Sequence, residues 1–279
     1  MKTLKNHIIL YDSECPMCSV YSRAFTTSGM LDSNGRAPYQ EMPAIVCPVV
    51  DRQRAVNEIA LVDTTTGEVS YGIHSLFKVI SHSFPVFGPL FRWQPFVWLM
   101  TKLYAFISYN RKVIIPPPMP VNTSTPANTP SFSLRYRLLY LAFTLFVSGF
   151  ILTRYARLLT GLITPGNAYR EYFICAGQIA FQGLAVALLT RSRRSTISSL
   201  PWDYLGNMMT ISLAGSLLLL PALAAHSILS PTLAALYFLF VAGCMLLEHI
   251  RRTKLLGLPW VLSASWVTYR MVLLLLILL

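Results

Sequence analysis

Hydrophobic and polar residues follow two different patterns along this chain. Up to about residue 115 the apolar runs are short and turn residues separate them, which predicts the strands and amphipathic helices of a small α/β domain. From residue 134 onward the apolar runs approach the length of a membrane span, and arginine clusters separate them. The pattern therefore predicts an α/β N-terminal domain followed by an all-α transmembrane helical bundle.

The elements of the first domain can be predicted in order from its apolar periodicity and its turn residues. A strand at "HIILY" is followed by a helix that begins at Pro16 and stops near Gly29. The later elements are a strand at "APYQEM", a helix within 43–57, a hairpin of strands 59–63 and 68–71, and helices at "IHSLFKVISHSF" and "VWLMTKLYAFISYNRK". This order, βαβαββα with one further helix, is a thioredoxin-like layout.

Residues 84–108 are strongly apolar but do not have the pattern of a membrane span. Three prolines and the cations Arg92 and Lys102 interrupt them, so no uncharged run reaches the length that a span needs. We expect core helices or membrane-surface helices here.

A proline-rich segment, "PPPMPVNTSTPANTPS", separates the two parts of the chain. It has almost nothing to bury and is typical of a semi-extended tether. The predicted organisation is a thioredoxin-like domain at 1–115, a linker at 116–133 and a transmembrane helical domain at 134–279.

Five apolar runs in the last domain are near spanning length, which predicts about five membrane spans. They lie at approximately 138–153, 172–190, 204–225, 231–247 and 258–279. If the N-terminal domain is cytoplasmic, eight Arg and Lys residues flank these spans on the inside and three on the outside. This asymmetry favours an inner or plasma membrane protein with a cytoplasmic N-terminal domain and its C-terminus outside.

Composition and charge support a membrane protein and weigh against nucleic-acid binding. Only 12% of the 279 residues are charged, and the net charge of +12 lies mostly in the apolar half, which carries +9 of it. The arginines cluster between apolar runs and are not interleaved with aromatic residues as on a nucleic-acid-binding face. The expected partners are the lipid bilayer and a protein thiol or disulfide, with no nucleic acid.

The candidate chemistry lies in "YDSECPMC", where Cys15 and Cys18 stand at the start of the predicted helix. Unpaired backbone N–H groups and the helix dipole stabilise a thiolate there, so Cys15 is placed to be the nucleophile. Cys18 is nearly one turn further on and can resolve a mixed disulfide. The alternatives are a metal site and a structural cysteine pair. A zinc site would need a second pair of ligands, and the sequence has no second pair of Cys or His residues at such a spacing.

The stretches "ILYDSECPMC", "GEVSYGIHSL" and "LYAFISYNR" resemble the DCC family of thiol-disulfide oxidoreductases, named for its D-x-x-C-x-x-C motif. That motif is here Asp12, Cys15 and Cys18, and the resemblance spans about residues 7–112. It implies a thioredoxin-like fold and a redox role. Physically, Asp12 can orient the loop, accept the proton of the resolving thiol or simply cap the turn.

Two further features bear on this resemblance. Tyr109, Asn110 and Arg111 match the closing motif of the family, and their simplest interpretation is a helix end with a surface arginine. Thioredoxins hold an extended peptide with a cis-proline just before the third strand, where this chain has Asn57 and Glu58. That departure weighs against peptide-like substrates.

Polar residues within the membrane half could form a second site. Glu171, Cys175, Gln178 and Gln182 share one helical face, which should point into the bundle. Arg270 interrupts the last span and needs a partner or an escape route. We expect Arg270 to meet Gln178 and Gln182, with Glu171 as counter-charge, in a polar pocket open to the outside; the alternative is that Arg270 snorkels to the terminus and the glutamines bind neighbouring helices.

These observations favour a membrane-anchored thiol-disulfide oxidoreductase that needs no metal and no organic cofactor. The first alternative is a non-enzymatic membrane scaffold or assembly partner with a thioredoxin-like binding domain. The second is a small transporter or quinone-handling protein that works through Arg270 and the glutamines.

Overall fold

The structure is a computed structural model, and it describes residues 1–42, 48–117, 131–164, 166–191 and 199–278. The chain divides into two compact units, Met1–Tyr136 and Arg137–Leu279. The first unit is a small α/β region with a four-stranded mixed sheet. The second is helical.

The elements of the first unit follow the predicted order. They are β1 (His7–Tyr11), α1 (Pro16–Thr27), β2 (Arg36–Pro38), α2 (Arg52–Asn57), β3 (Ala60–Asp63), β4 (Val69–Tyr71), α3 (Ile73–Ser83), α4 (Gly88–Arg92) and α5 (Gln94–Ile114). The second strand is shorter than predicted, because a 3-10 turn at Tyr39–Glu41 ends it directly after Pro38. Most of the stretch before α2, residues 43–47, lies outside the described residues.

The strands form a sheet in the order β2-β1-β3-β4. β2 runs parallel to β1, whereas β3 is antiparallel to both β1 and β4. The predicted hairpin is therefore confirmed, with Gly67 at φ 74° in the turn between its strands, a conformation that glycine adopts without steric cost. β1 is a central strand, so the loop that follows it opens at the middle of the sheet edge.

Alternating side chains of the two central strands supply the cores on opposite faces of the sheet. Leu10, Ala60 and Val62 belong to a cluster on one face. Ile9 and Leu61 belong to a cluster on the other. Both faces of β1 and β3 are thus buried, which fixes their register.

Among its described residues, the helical unit contains four helices that are long and apolar enough to cross a membrane, as in an integral membrane protein. Its helices are α6 (Leu134–Ala156), α7 (Arg170–Thr190), α8 (Leu200–Leu218), α9 (Leu220–Ala224), α10 (Pro231–Leu255) and α11 (Val261–Leu278), of which α6 begins just before the division between the units. The candidate spans are Leu134–Leu159, Arg170–Thr190, Leu200–Ala224 and Pro231–Leu255, and the apolar part of α11 is shorter. The first span is longer than its apolar run because its terminal arginines continue the helix.

α8 is the central helix of this unit. Eleven of its residues are buried, and both α7 and α10 pack against it, while α11 packs against α7. Its core includes Tyr204, Met208 and Met209, which pack with Leu262 and Trp266 of α11. A helix that is apolar on every side is expected at the centre of a bundle.

Candidate functional site

Cys15 and Cys18 lie at the start of α1, as the sequence predicts. Cys15 is the N-cap residue, Pro16 is the first helical residue, and the backbone N–H of Cys18 donates to Cys15 Sγ at 3.3 Å. A sulfur therefore takes the position that a serine or aspartate oxygen often occupies at a helix N-terminus. The turn that carries it is closed by the backbone N–H of Cys15, which donates to the Asp12 carbonyl at 3.1 Å.

The two sulfur atoms are 2.7 Å apart. At this separation they can share a proton, and they can form a bond without movement of the helix. Both cysteines are free thiols in the structure.

Asp12 follows the last residue of β1 and is 4% exposed. Its Oδ1 accepts the backbone N–H of Glu14 at 3.1 Å and the Gln40 side-chain amide at 2.8 Å. Its Oδ2 forms an ion pair with Arg111 Nη2 at 2.9 Å. These contacts hold the cysteine loop in place, as both the orienting role and the turn-capping role among the three predicted for Asp12 require.

Arg111 is not the surface arginine that the simplest interpretation of its motif predicts. It is 6% exposed, although it lies in the last turn of α5. Besides Asp12, its guanidinium donates to the carbonyls of Val56 at 2.8 Å and Asn57 at 3.4 Å. It is buried because the end of α5 packs beside the cysteine loop and the segment before β3, where a cation with three acceptors can be accommodated.

The sulfur pair titrates as a unit. The hydrogen bond with Cys15 lowers the pKa of Cys18 to about 7; burial opposes this, and the Arg111 charge adds to it. The hydrogen bond with Cys18, together with burial, raises the pKa of Cys15. Since the two groups interact strongly, these values describe the pair, and the remaining proton can lie on either sulfur. The sequence predicts Cys15 as the nucleophile, and because the lowered pKa belongs to the pair, that assignment stays a prediction.

Two half-buried tyrosines, Tyr21 and Tyr104, stand beside the pair. A hydrogen bond from Tyr21 lowers the pKa of Cys18, and burial raises the pKa of Tyr21 itself, which keeps its hydroxyl protonated. Burial also raises the pKa of Tyr104, whose hydroxyl oxygen accepts the backbone N–H of Ile59 at 2.9 Å. The Arg111 guanidinium and the Tyr21 hydroxyl therefore favour a thiolate on Cys18, whereas the Asp12 charge opposes it.

Both cysteines are nearly inaccessible. Cys15 is 3% exposed and Cys18 is 5% exposed. A disulfide substrate can approach these sulfurs only after a local opening of the surrounding loops.

The segment before β3 has an arrangement of its own. Among the described residues no peptide bond is cis, so Asn57 and Glu58 do not reproduce the cis-proline of thioredoxins. The carbonyl of Asn57 instead accepts a hydrogen bond from Ser108 at 2.6 Å, and the neighbouring Val56 carbonyl accepts the one from Arg111. Side chains of α5 thus fix the backbone that faces the cysteine loop.

In the helical unit, the polar stripe predicted on α7 faces inward. Cys175, Gln178 and Gln182 are all buried. Gln182 Oε1 accepts the Tyr204 hydroxyl at 2.7 Å, and its amide donates to Ser265 at 3.1 Å. The Gln178 amide has no hydrogen-bond partner in the part of the chain that the structure describes.

Arg270 and Glu171 contact residues that are not part of the predicted pocket. The Arg270 guanidinium lies over the Trp266 ring at 5.1 Å, and Glu171 pairs with Arg170 at 2.9 Å. A groove of about 360 Å³ opens between α7 and α11, lined by Asn167, Arg170, Phe173, Ile174, Tyr269 and Leu273. A polar pocket built from Arg270, the two glutamines and Glu171 stays a prediction.

Sequence reasoning missed a polar cluster around His249. The imidazole lies 3.3 Å from the Tyr204 hydroxyl and 3.1 Å from Ser263 Oγ, and it stacks on Trp266. Through Tyr204 it joins the Gln182 hydrogen bonds. The available signal was a histidine at the end of the apolar run of α10. The periodicity of a single sequence does not show which helices are neighbours, so it could not indicate that His249 lies beside Tyr204 of α8.

In comparisons with known proteins, no protein-family model, no curated protein and no solved structure matches this chain. Within the described residues, no cluster of three His, Cys, Asp or Glu side chains could hold a metal ion, and Cys47 lies outside them.

Proposed function

We propose that this chain is a membrane-anchored thiol-disulfide oxidoreductase in which Cys15 and Cys18 alternate between dithiol and disulfide. The observation that carries the proposal is the 2.7 Å separation of two free sulfurs at a helix N-terminus, beside a buried guanidinium. The element order βαβαββα supports a thioredoxin-like unit. The resemblance of Asp12, Cys15, Cys18 and Arg111 to DCC motifs supports a place in that family.

The reaction is a two-step exchange. A thiolate on Cys15 attacks a substrate disulfide, a new S–S bond joins Cys15 to one substrate sulfur, and the other substrate sulfur leaves as a thiolate. Cys18, after losing its proton, attacks the Cys15 sulfur and releases the second substrate thiol. Two electrons pass to the substrate, and an external dithiol must return them for the next turnover; with an oxidising partner the same steps run in reverse.

The environment of the pair supports this chemistry. Ionisation of the pair near neutral pH supplies a thiolate, which is on Cys15 whenever the shared proton lies on Cys18, and a thiol of such pKa is also a good leaving group. Arg111 compensates the charge of the thiolate, while Asp12 keeps the guanidinium in place. Asp12 and Arg111 are positioning residues in this proposal.

The test uses the full-length protein in detergent, equilibrated with glutathione buffers of graded redox potential and then alkylated. Trypsin should release residues 6–23 as one peptide that contains both cysteines. We expect this peptide to carry two alkyl groups after equilibration in reducing buffers, and in oxidising buffers to be unalkylated and two hydrogen atoms lighter than the free dithiol, with the change reversible. If it stays a dithiol at every potential, the proposal fails.

The second candidate is a non-enzymatic membrane scaffold whose cysteines only fill space, and the 3% exposure of Cys15 favours it. The two candidates differ in one respect that can be measured. A Cys15→Ser/Cys18→Ser variant should abolish the activity of an oxidoreductase in a cellular assay, whereas a scaffold should retain its function.

We further propose that the first unit is cytoplasmic and that the C-terminus lies outside the inner or plasma membrane. The excess of arginine and lysine on the inside flanks supports this orientation. It requires α11 to act as a fifth span, in addition to the four long helices. A reporter fused after Leu279 should be active outside, and a cytoplasmic reporter would contradict the proposed orientation.

A further inference from the structure

An exposed apolar face covers the segment from the 3-10 turn at Pro85–Phe87 to the middle of α5. Its most prominent members are Val86, Leu90, Trp93, Trp98, Leu99 and Leu103, which are between 38% and 79% exposed. Single exposed apolar residues are ordinary in proteins, but a continuous set with two tryptophans marks an interaction surface.

The segment is well anchored on its inner side, so its exposed side chains are not the result of an unformed core. Phe91 of α4 stacks on Phe77 of α3 with ring centroids 4.2 Å apart, and Phe96 of α5 lies 6.2 Å from Phe91. On α5, Tyr104 and Arg111 point inward to Ile59 and Asp12. The outer side of the same helices remains exposed in the part of the chain that the structure describes.

The helical spacing separates these two sides. On α5 the exposed residues Leu99, Leu103 and Ile107 recur every four positions. The inward residues Tyr104, Ser108 and Arg111 follow the spacing i, i+4, i+7. α5 is therefore amphipathic, with one stripe committed to the α/β unit and the other available for a second environment.

The charged residues near this apolar face indicate what kind of surface it contacts. The exposed Arg92 and Lys102 lie within this segment, and the sequence contains no Asp or Glu between Glu68 and Glu171. Tryptophan combined with arginine and lysine is the composition of a helix that lies in the interface of a membrane with anionic lipids. The same chain carries candidate membrane spans from Leu134 onward, which would tether this unit to a bilayer.

We propose that this face docks on the surface of the lipid bilayer, with the apolar side chains in the headgroup region and Arg92 and Lys102 against lipid phosphates. α4 and α5 then act as an interfacial anchor that holds the cysteine-bearing unit against the membrane. This inference does not require the redox function.

The experiment reconstitutes the full-length protein in vesicles of phosphatidylcholine and phosphatidylglycerol that contain a phospholipid with a photoreactive diazirine in its acyl chain. After irradiation, trypsin should release residues 93–102, with both tryptophans and Leu99, and residues 6–23, with the 70% exposed Val20 as an internal control. We expect lipid adducts on the first peptide and only background on the second.

A pair of variants makes the test specific. Trp98→Glu/Leu99→Glu should lower the adducts on residues 93–102 about tenfold or more, because each lost apolar contact is worth about a decade in a binding constant. Val20→Glu, at a matched exposed apolar position of α1, should leave them unchanged. Vesicles without phosphatidylglycerol should also give fewer adducts, since the cations lose their partners.

Two outcomes would overturn the proposal. Residues 93–102 could remain unlabelled while the spans are labelled, which would place the face in water. They could also be unlabelled by lipid and protected from hydroxyl radicals, which would show that protein covers the face, either a second copy or another surface of the chain.

Discussion

The Arg111 guanidinium lies 2.9 Å from the Asp12 carboxylate, although 99 positions separate the two residues. Their side chains are both almost fully buried, and the same guanidinium also binds the Val56 carbonyl. One cation thus joins the end of β1, the segment before β3 and the end of α5. These three elements surround the cysteine pair.

The first prediction concerns this ion pair. Arg111→Met should lower the free energy of unfolding by about 3–5 kcal/mol, because Asp12 is then buried without its partner. It should also raise the pH at which the cysteine pair ionises above the value of about 7, since the positive charge that favours the thiolate is gone. Thermal unfolding and the pH dependence of alkylation measure the two effects.

The control for this prediction is the double variant Asp12→Asn/Arg111→Met. It removes both charges, so it should be more stable than Arg111→Met alone while the ionisation stays shifted upward. If the double variant loses as much free energy of unfolding as Asp12→Asn and Arg111→Met lose together, the two residues do not act as a pair.

The second prediction concerns Tyr104. Tyr104→Phe leaves the backbone N–H of Ile59 without its acceptor, so it should lower the free energy of unfolding by about 1–3 kcal/mol. Tyr109→Phe, at an exposed position on the same helix, should change it by less than about 0.5 kcal/mol. Equal effects of the two substitutions would contradict the assigned hydrogen bond.

Local sequence patterns predicted the elements of the first unit well, for physical reasons. β1 is short and apolar, Pro16 can begin a helix but not continue one, and Gly67 occupies a turn that needs positive φ. Each of these signals acts within a few residues. The position of Cys15 at the helix start follows from the same local signals.

The contacts that complete the site could not be predicted from periodicity. Arg111 contacts Asp12 because α5, the last helix of the α/β unit, ends at the sheet edge that carries the cysteine loop. The pattern of α5 showed an amphipathic helix but not which residue would reach the cysteine loop. In the helical unit, the His249 cluster depends in the same way on which helices pack together.

The third prediction separates the roles of the two cysteines. With Cys18→Ser, a mixed disulfide formed on Cys15 cannot be resolved, so a disulfide-linked adduct with glutathione should accumulate on the full-length protein. With Cys15→Ser, we expect little adduct, because the attacking sulfur is absent. Mass spectrometry of residues 6–23, released by trypsin without reduction, measures both adducts apart from the exposed Cys244, and accumulation only in Cys15→Ser would reverse the assigned roles.

The fourth prediction compares two glutamines on one face of α7. Gln178→Leu removes a buried amide that has no partner among the described residues, so the thermal midpoint in detergent should stay the same or rise. Gln182→Leu removes the acceptor of the Tyr204 hydroxyl. It should lower the thermal midpoint, and the corresponding loss of stability should be about 0.6–1.7 kcal/mol. A loss of stability with Gln178→Leu as large as with Gln182→Leu would show that Gln178 has a partner of its own.

The pH dependence of alkylation at the cysteine pair tests the central claim most directly. The full-length protein in detergent is treated with iodoacetamide at graded pH, and modification is measured on residues 6–23 after digestion. The lowered pKa of Cys18 means that the pair forms a thiolate near neutral pH, so the rate of alkylation should rise with a midpoint near pH 7. Prior oxidation should protect both cysteines. A midpoint at the ordinary cysteine value of about 8.5, with no protection by oxidation, would contradict the account.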